Sequence, residues 1–155
     1  MIRTFLAAAF LAIALPAEAH DMASMTHGET AIAVSDVWAN AAPGSNGAVY
    51  AMIMNGGAAA DRLIAVKSDL AAAVELHAMS EEGGVMQMRK VDGVDVPAGG
   101  MVMLESGGTH IMLIGLKAPL REGTTGTLTF VFEHAGDVSA ELTVRAGGSG
   151  GHDHH

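Results

Sequence analysis

Three short stretches of this sequence place two metal-donor side chains one residue apart: His77-Ala78-Met79, Met86-Gln87-Met88 and His110-Ile111-Met112. Successive side chains of an extended strand alternate between faces, so each stretch presents both donors on one side. Imidazole serves many transition metals, whereas a thioether is a weak, soft donor that selects Cu(I). A His/Met mixture without thiolate or carboxylate therefore points to copper ahead of zinc. Calcium and magnesium prefer oxygen ligands, which this cluster does not supply. The chain contains no cysteine, and that excludes a blue-copper electron-transfer centre, which requires a Cys thiolate.

Such donors need strands to hold them. Ser80-Glu81-Glu82-Gly83-Gly84 is a polar, Gly-ending turn between two strand-like runs, which predicts a hairpin over residues 74–79 and 85–90. A turn centred between Glu82 and Gly83 sets His77 opposite Met88 and Met79 opposite Met86, with Cβ atoms roughly 4.5 to 5.5 Å apart. His110 and Met112 complete the cluster if their strand ends at the same edge. Met52, Met54, Met101 and Met103 are read instead as core or edge packing, because methionine fills irregular gaps. His134, before Ala135-Gly136, is read as a surface residue.

The rest of the chain from Thr30 to Arg145 is strand-like. Ile32, Val34 and Val37-Trp38 alternate with small or polar residues, and Ala42 to Gly47 breaks the run. Further strands are expected at Ala48 to Met54, Leu63 to Val66, Met101 to Leu104, His110 to Leu116, Thr124 to Phe132 and Val138 to Val144. Val94 to Gly100 reads as a loop. Asp69 to Glu75, with its three consecutive alanines, is the one helical competitor. Short strands at intervals of about ten residues with Gly-rich turns indicate an all-β Greek-key sandwich or barrel.

The two ends carry different information. Met1-Ile2-Arg3, the apolar run from Thr4 to Leu15 and the small-x-small site at Ala17-Glu18-Ala19 form a signal peptide over residues 1–19, with cleavage after Ala19. A soluble exported protein beginning at His20 is expected, with no second long apolar run and no cysteine to carry a lipid. Residues 20–29 hold His20, Met22, Met25 and His27, and a freed α-amino group at His20 would add a donor suited to Cu(II). Residues 146–155 are a Gly/Ser linker with a tip of His152, His154 and His155 around Asp153, a second place for Cu(II). The formal charge of -9 argues against nucleic acid or an anionic membrane as partner.

At His77, Met88, His110 and Met112 the sequence resembles the periplasmic copper chaperones called PCu(A)C. Their signature is a His, ten residues, a Met, twenty-one residues, then His-x-Met, and this chain matches it in spacing and type. Asn55-Gly56-Gly57 with Asp61-Arg62-Leu63, Glu75-Leu76-His77, Gly84-Val85-Met86, Val96-Pro97-Ala98-Gly99-Gly100 and Leu113-Ile114-Gly115-Leu116 agree with it. Asn40 departs from it, standing where a basic residue is expected after Trp38-Ala39. The resemblance covers residues 30–145. It implies a cupredoxin-like β-barrel holding Cu(I) at His77, Met88, His110 and Met112, with Met79 and Met86 as outer or alternative thioethers. It also implies a non-enzymatic chaperone that delivers copper to an acceptor such as the dinuclear site of cytochrome c oxidase subunit II or a thiol-bearing assembly factor. The residues alone leave open a copper redox enzyme using the His20 amino terminus, a periplasmic copper buffer, and a β-sandwich with no metal.

Overall fold

A computed structural model describes residues 31–146 of the chain. The signal, leader and tail readings, with His20, Met22, Met25, His27, His152, His154 and His155, lie outside the described residues. Among the described residues ten strands follow one another: β1 (Ile32–Asn40), β2 (Asn46–Asn55), β3 (Asp61–Lys67), β4 (Ala71–Glu82), β5 (Val85–Lys90), β6 (Val94–Val96), β7 (Met101–Leu104), β8 (His110–Leu116), β9 (Thr125–Phe132) and β10 (Gly136–Arg145). They hydrogen-bond in the order β5-β4-β8-β2-β1-β10-β9-β3-β6, and β7 adds to β2. Among the described residues only β1 and β10 run parallel. The fold is the all-β, cupredoxin-like one expected, and among the described residues there is no helix.

The inner faces of both halves supply one core. Val49 and Ile53 of β2, Leu76 of β4 and Ile111 and Leu113 of β8 join Leu63, Leu128, Phe130, Phe132, Leu142 and Val144 in it. Period-2 alternation assigns each strand its outer face in turn. In β1 the alternation slips: Ile32 is buried on one phase, Val37 and Ala39 on the other. The cause is a bulge, seen as a register shift between Ser35 and Trp38 against β2, where Asp36 takes a φ of 48°. The Asp36 carboxylate is held by Arg145 at 2.6 Å, and the same guanidinium lies over Trp38 at 4.6 Å. One inserted residue thus turns Trp38 to the outer face beside Tyr50.

Two sequence expectations are corrected here. Val94–Val96 is a strand, paired with β3 through Asp61↔Val96 and Leu63↔Val94, because Val96 fills the core before Pro97 ends the ladder. The alanine-rich segment is extended, since Ala71 and Ala73 pair with Leu116 and Ile114 of β8. Cross-strand pairing overrides the helix propensity of alanine there.

Candidate metal centre

The hairpin turn lies one residue further along than the sequence implied. Glu82 pairs with Val85, so the two-residue loop is Gly83-Gly84, with φ of 61° and 80°. Both positions of this turn need positive φ, which only glycine adopts without a Cβ clash. The register therefore shifts by two: Met79 faces Met88, His77 faces Lys90 and Met86 faces Glu81. A shift of two preserves the face, so His77, Met79, Met86 and Met88 still share one side of the sheet.

The other neighbour of β4 completes the set. His77 pairs with His110 and Glu75 with Met112, and β2 then places Ala48 opposite Met112. Their partners one position along, Leu76 and Ile111, are buried in the core. The donors accordingly lie on the outer face of the sheet, backed by core residues that fix the strands.

Over this face the loop from Glu105 to Thr109 closes a cavity of about 470 Å³, lined by Ala48, Tyr50, Met79, Met88, Ser106, Gly107, His110 and Met112. Three thioethers and one imidazole converge on it. His77 does not line it, but its ring centroid is 6.2 Å from that of His110. Met86, 52% exposed at the hairpin tip, lies outside. Met88 is 49% exposed, so the cavity is reached from solvent through the β5 side.

The hydrogen bonds of the two histidines decide which nitrogen each has left. His110, buried, contacts the Gly108 carbonyl through Nδ1 at 3.1 Å. A carbonyl only accepts, so Nδ1 carries the proton and Nε2 keeps its lone pair. His77 contacts a Glu75 carboxylate oxygen through Nε2 at 2.9 Å; in the neutral ring the proton then sits on Nε2, and Nδ1 keeps its lone pair. That Nδ1 is buried and has no hydrogen-bond partner. A buried, unpaired acceptor is costly unless something else occupies it. The Gly108 carbonyl also accepts the Met79 amide N–H at 3.3 Å, tying the loop to β4 across the cavity.

Three participants were missed by sequence reasoning. Glu75 is a carboxylate within the cluster, although the sequence reading counted none. Its other oxygen accepts from Lys90 Nζ at 2.9 Å, and the bonds from His77 and Lys90 hold its pKa below the usual carboxylate value. Both oxygens are thus engaged, and Glu75 orients His77 rather than adding a hard donor. Its position two residues before His77 was the signal that could have found it. Tyr50, with its ring 6.5 Å from His110 and 4.7 Å from Trp38, walls one side. Gly107, at φ 83°, lets the covering loop turn. His134 is exposed as expected.

Known proteins resemble this chain throughout the described region. A family profile described as "Putative lipoprotein LpqE-like" matches residues 32–144. A curated relative, the putative lipoprotein Lxx21020 of Leifsonia xyli, is 32% identical over 86% of this chain and 80% of its own length. Among solved structures, the copper-bound PCuAC domain from PmoF2 superposes with a TM-score of 0.63 at 26% identity, covering 74% of this chain and 92% of that one. CuI-DR1885 from Deinococcus radiodurans superposes at 0.59 with 28% identity, covering 79% and 85%. The likeness extends from profile to backbone, and the chain belongs to the LpqE-like family, a member of the PCu(A)C group.

Proposed function

We propose that this protein is a periplasmic copper chaperone that holds Cu(I) in the outer-face cavity and passes it to a cuproprotein. The observation that carries this reading is the convergence of Met79, Met88, Met112 and His110 on one solvent-reached cavity beside His77, whose free nitrogen lacks a partner. Met88, His110 and Met112 supply three donors; β4 supplies the fourth, where Met79 lines the cavity and His77 adjoins it. Similarity to a copper-bound PCuAC domain and to a Cu(I)-bound DR1885 supports the choice of metal. Met86 is an outer thioether.

Neutral, weak donors suit transfer. Thioethers select Cu(I) without the charge of a thiolate, so an incoming thiol or imidazole can replace them one at a time and the ion is never released to water. The acceptor fitting this chemistry is a copper site in assembly, such as the dinuclear centre of cytochrome c oxidase subunit II, or a thiol-bearing assembly factor. The relatives named as putative lipoproteins are in keeping with export. His20, Met22, Met25 and His27 at one end and His152, His154 and His155 at the other collect Cu(II) in this scheme.

The test is a competition titration with Cu(I) against a chromogenic chelator, using the mature protein, His110→Ala, Met88→Ala and a form truncated after Ala146. One tight equivalent that survives truncation and is lost in the variants is expected. Binding that disappears with the tail and ignores the variants would overturn the reading.

A further inference from the structure

A second group of methionines occupies the same outer face further along β2. The β2–β7 ladder pairs Met52 with Met103 and Met54 with Met101, so four thioethers share one side of two adjacent strands. Between them Ala51, Ile53 and Leu104 point into the core. The sequence reading assigned these methionines to packing, but Met54, Met101 and Met103 are 48%, 54% and 42% exposed. Burial therefore does not account for their side chains. An outward face of an antiparallel sheet usually carries polar residues, yet all four positions here are methionine.

Their neighbourhood leaves the sulfurs accessible. On the β1 side Met52 and Met54 pair with Ser35 and Ala33, both small and exposed, and among the described residues β7 has no strand on its far side. Directly opposed residues have Cβ atoms roughly 4.5 to 5.5 Å apart, and methionine has three rotatable bonds with which to bring its sulfur to a shared point. The patch is also continuous with the cavity: Ala48, Tyr50, Met52 and Met54 alternate along one face of β2, and Ala48 stands opposite Met112. The four residue steps from Ala48 to Met52 span about 13 Å.

We propose that Met52, Met54, Met101 and Met103 form a second site for a soft monovalent ion, Cu(I) in this protein, built from thioethers alone. The identity of the ion rests on the copper reading above; the juxtaposition of the four sulfurs does not. Without an imidazole or any charged donor this site binds about tenfold or more weakly than the cavity, filling only when the cavity is full. An ion held there lies on the face that leads to Met112.

The experiment follows methionine methyl resonances in the full chain, labelled at the ε-carbon, titrated without oxygen first with Ag(I) and separately with Cu(I). The first equivalent is expected to shift Met79, Met88 and Met112, and further ion to shift Met52, Met54, Met101 and Met103. The double variant Met54→Leu/Met101→Leu keeps the apolar surface while removing two sulfurs, and should abolish the second phase and leave the first. Met88→Leu should weaken the first phase while the Met52 and Met103 methyls still respond, so loss of the cavity reading and loss of this one are separable. If the four methyls stay fixed as ion is added beyond the equivalent that saturates the cavity, or if the second phase persists unchanged in the double Leu variant, the proposal is overturned.

Discussion

Two concavities of similar size interrupt the surface of this sandwich, and they treat buried polar atoms in opposite ways. One, of about 400 Å³, is lined by Ala31, Asn55, Gly57, Asp61 and His134 among others. Every polar group at its base is satisfied: Asp61 accepts the backbone N–H groups of Arg62 at 2.7 Å, His134 at 3.0 Å and Ala135 at 2.9 Å. Asn55 accepts from Gly57 and donates to the Ala59 and Val96 carbonyls. At the other concavity, over His110, the adjoining His77 keeps a buried Nδ1 with no hydrogen-bond partner, and the one hydrogen bond of the His110 ring goes through Nδ1. Saturated polar atoms hold the fold, here by fastening β3 to the β9–β10 turn. Atoms that the fold positions but does not satisfy are the ones with capacity for a ligand.

Substitutions at the two places should therefore separate binding from stability. The largest effect is expected for Met88→Leu, which keeps volume and removes a sulfur: Cu(I) affinity in the chelator competition should fall by about a hundredfold. Because Met88 is half exposed, its apo unfolding free energy in a urea titration should move by no more than about 0.5 kcal/mol. A comparable loss of stability would mean that Met88 is packing.

Asp61→Asn should do the reverse. Burial alone would raise the Asp61 pKa, but the three N–H groups that bond its carboxylate outweigh it and lower the pKa overall. Neutralising the acceptor should cost about 2 kcal/mol of stability at neutral pH and change Cu(I) affinity less than about twofold. A group whose folded pKa is lowered stabilises above its unfolded pKa, near 3.9, and loses that contribution as pH falls through the folded value. The stability gap between wild type and Asp61→Asn, followed by urea unfolding, should thus be constant above about pH 5 and close in acid. A gap that widened on acidification would contradict this account.

Glu75 tests the border between the two behaviours, since it is satisfied and yet positions a histidine. Glu75→Ala should weaken Cu(I) about tenfold, because His77 loses the acceptor that fixes its tautomer. Glu75→Gln, which can still accept from His77 Nε2 through its amide oxygen, should recover most of that loss. Equal losses in both variants would show that the carboxylate charge, rather than the orientation of His77, is what matters.

The fold was largely legible because burial imposes a period of two on almost every strand, and the Gly-rich turns fall at the breaks. What escaped was pairing. Nothing in Val94-Asp95-Val96 announces that β3 needs an edge partner, and the alanines before Glu75 read equally well as helix until Leu116 and Ile114 are known to lie opposite. Part of the cluster was legible for the same reason as the strands: face parity sets His77 with Met79, Met86 with Met88 and His110 with Met112, while the β4–β8 pairing that brings the last pair beside the others was not legible. Parity also leaves open which face Met52, Met54, Met101 and Met103 take, because a strand methionine looks the same from either face until the neighbours' burial assigns it. Glu75 was quoted as part of a motif without a role, since its task depends on two side chains brought to it by β5 and β4.

The smallest expected effect distinguishes the two hairpin registers. With the turn between Glu82 and Gly83, Met79 and Met86 would be opposed and equivalent, and replacing either with Leu would weaken Cu(I) alike. With Gly83-Gly84 as the loop, Met79 faces Met88 inside the cavity while Met86 faces Glu81 at the exposed tip. Met79→Leu should then weaken Cu(I) several-fold, on the order of fivefold, and Met86→Leu by less than about twofold, with both proteins equally stable. Leucine keeps the apolar volume in each case, so only the sulfur is lost. Matching losses would return the turn to Glu82-Gly83 and give Met79 of β4 and Met86 of β5 equivalent places beside the ion. Unequal losses would mean that a shift of two residues, invisible to face parity, selects which thioether of β4 and β5 the site uses.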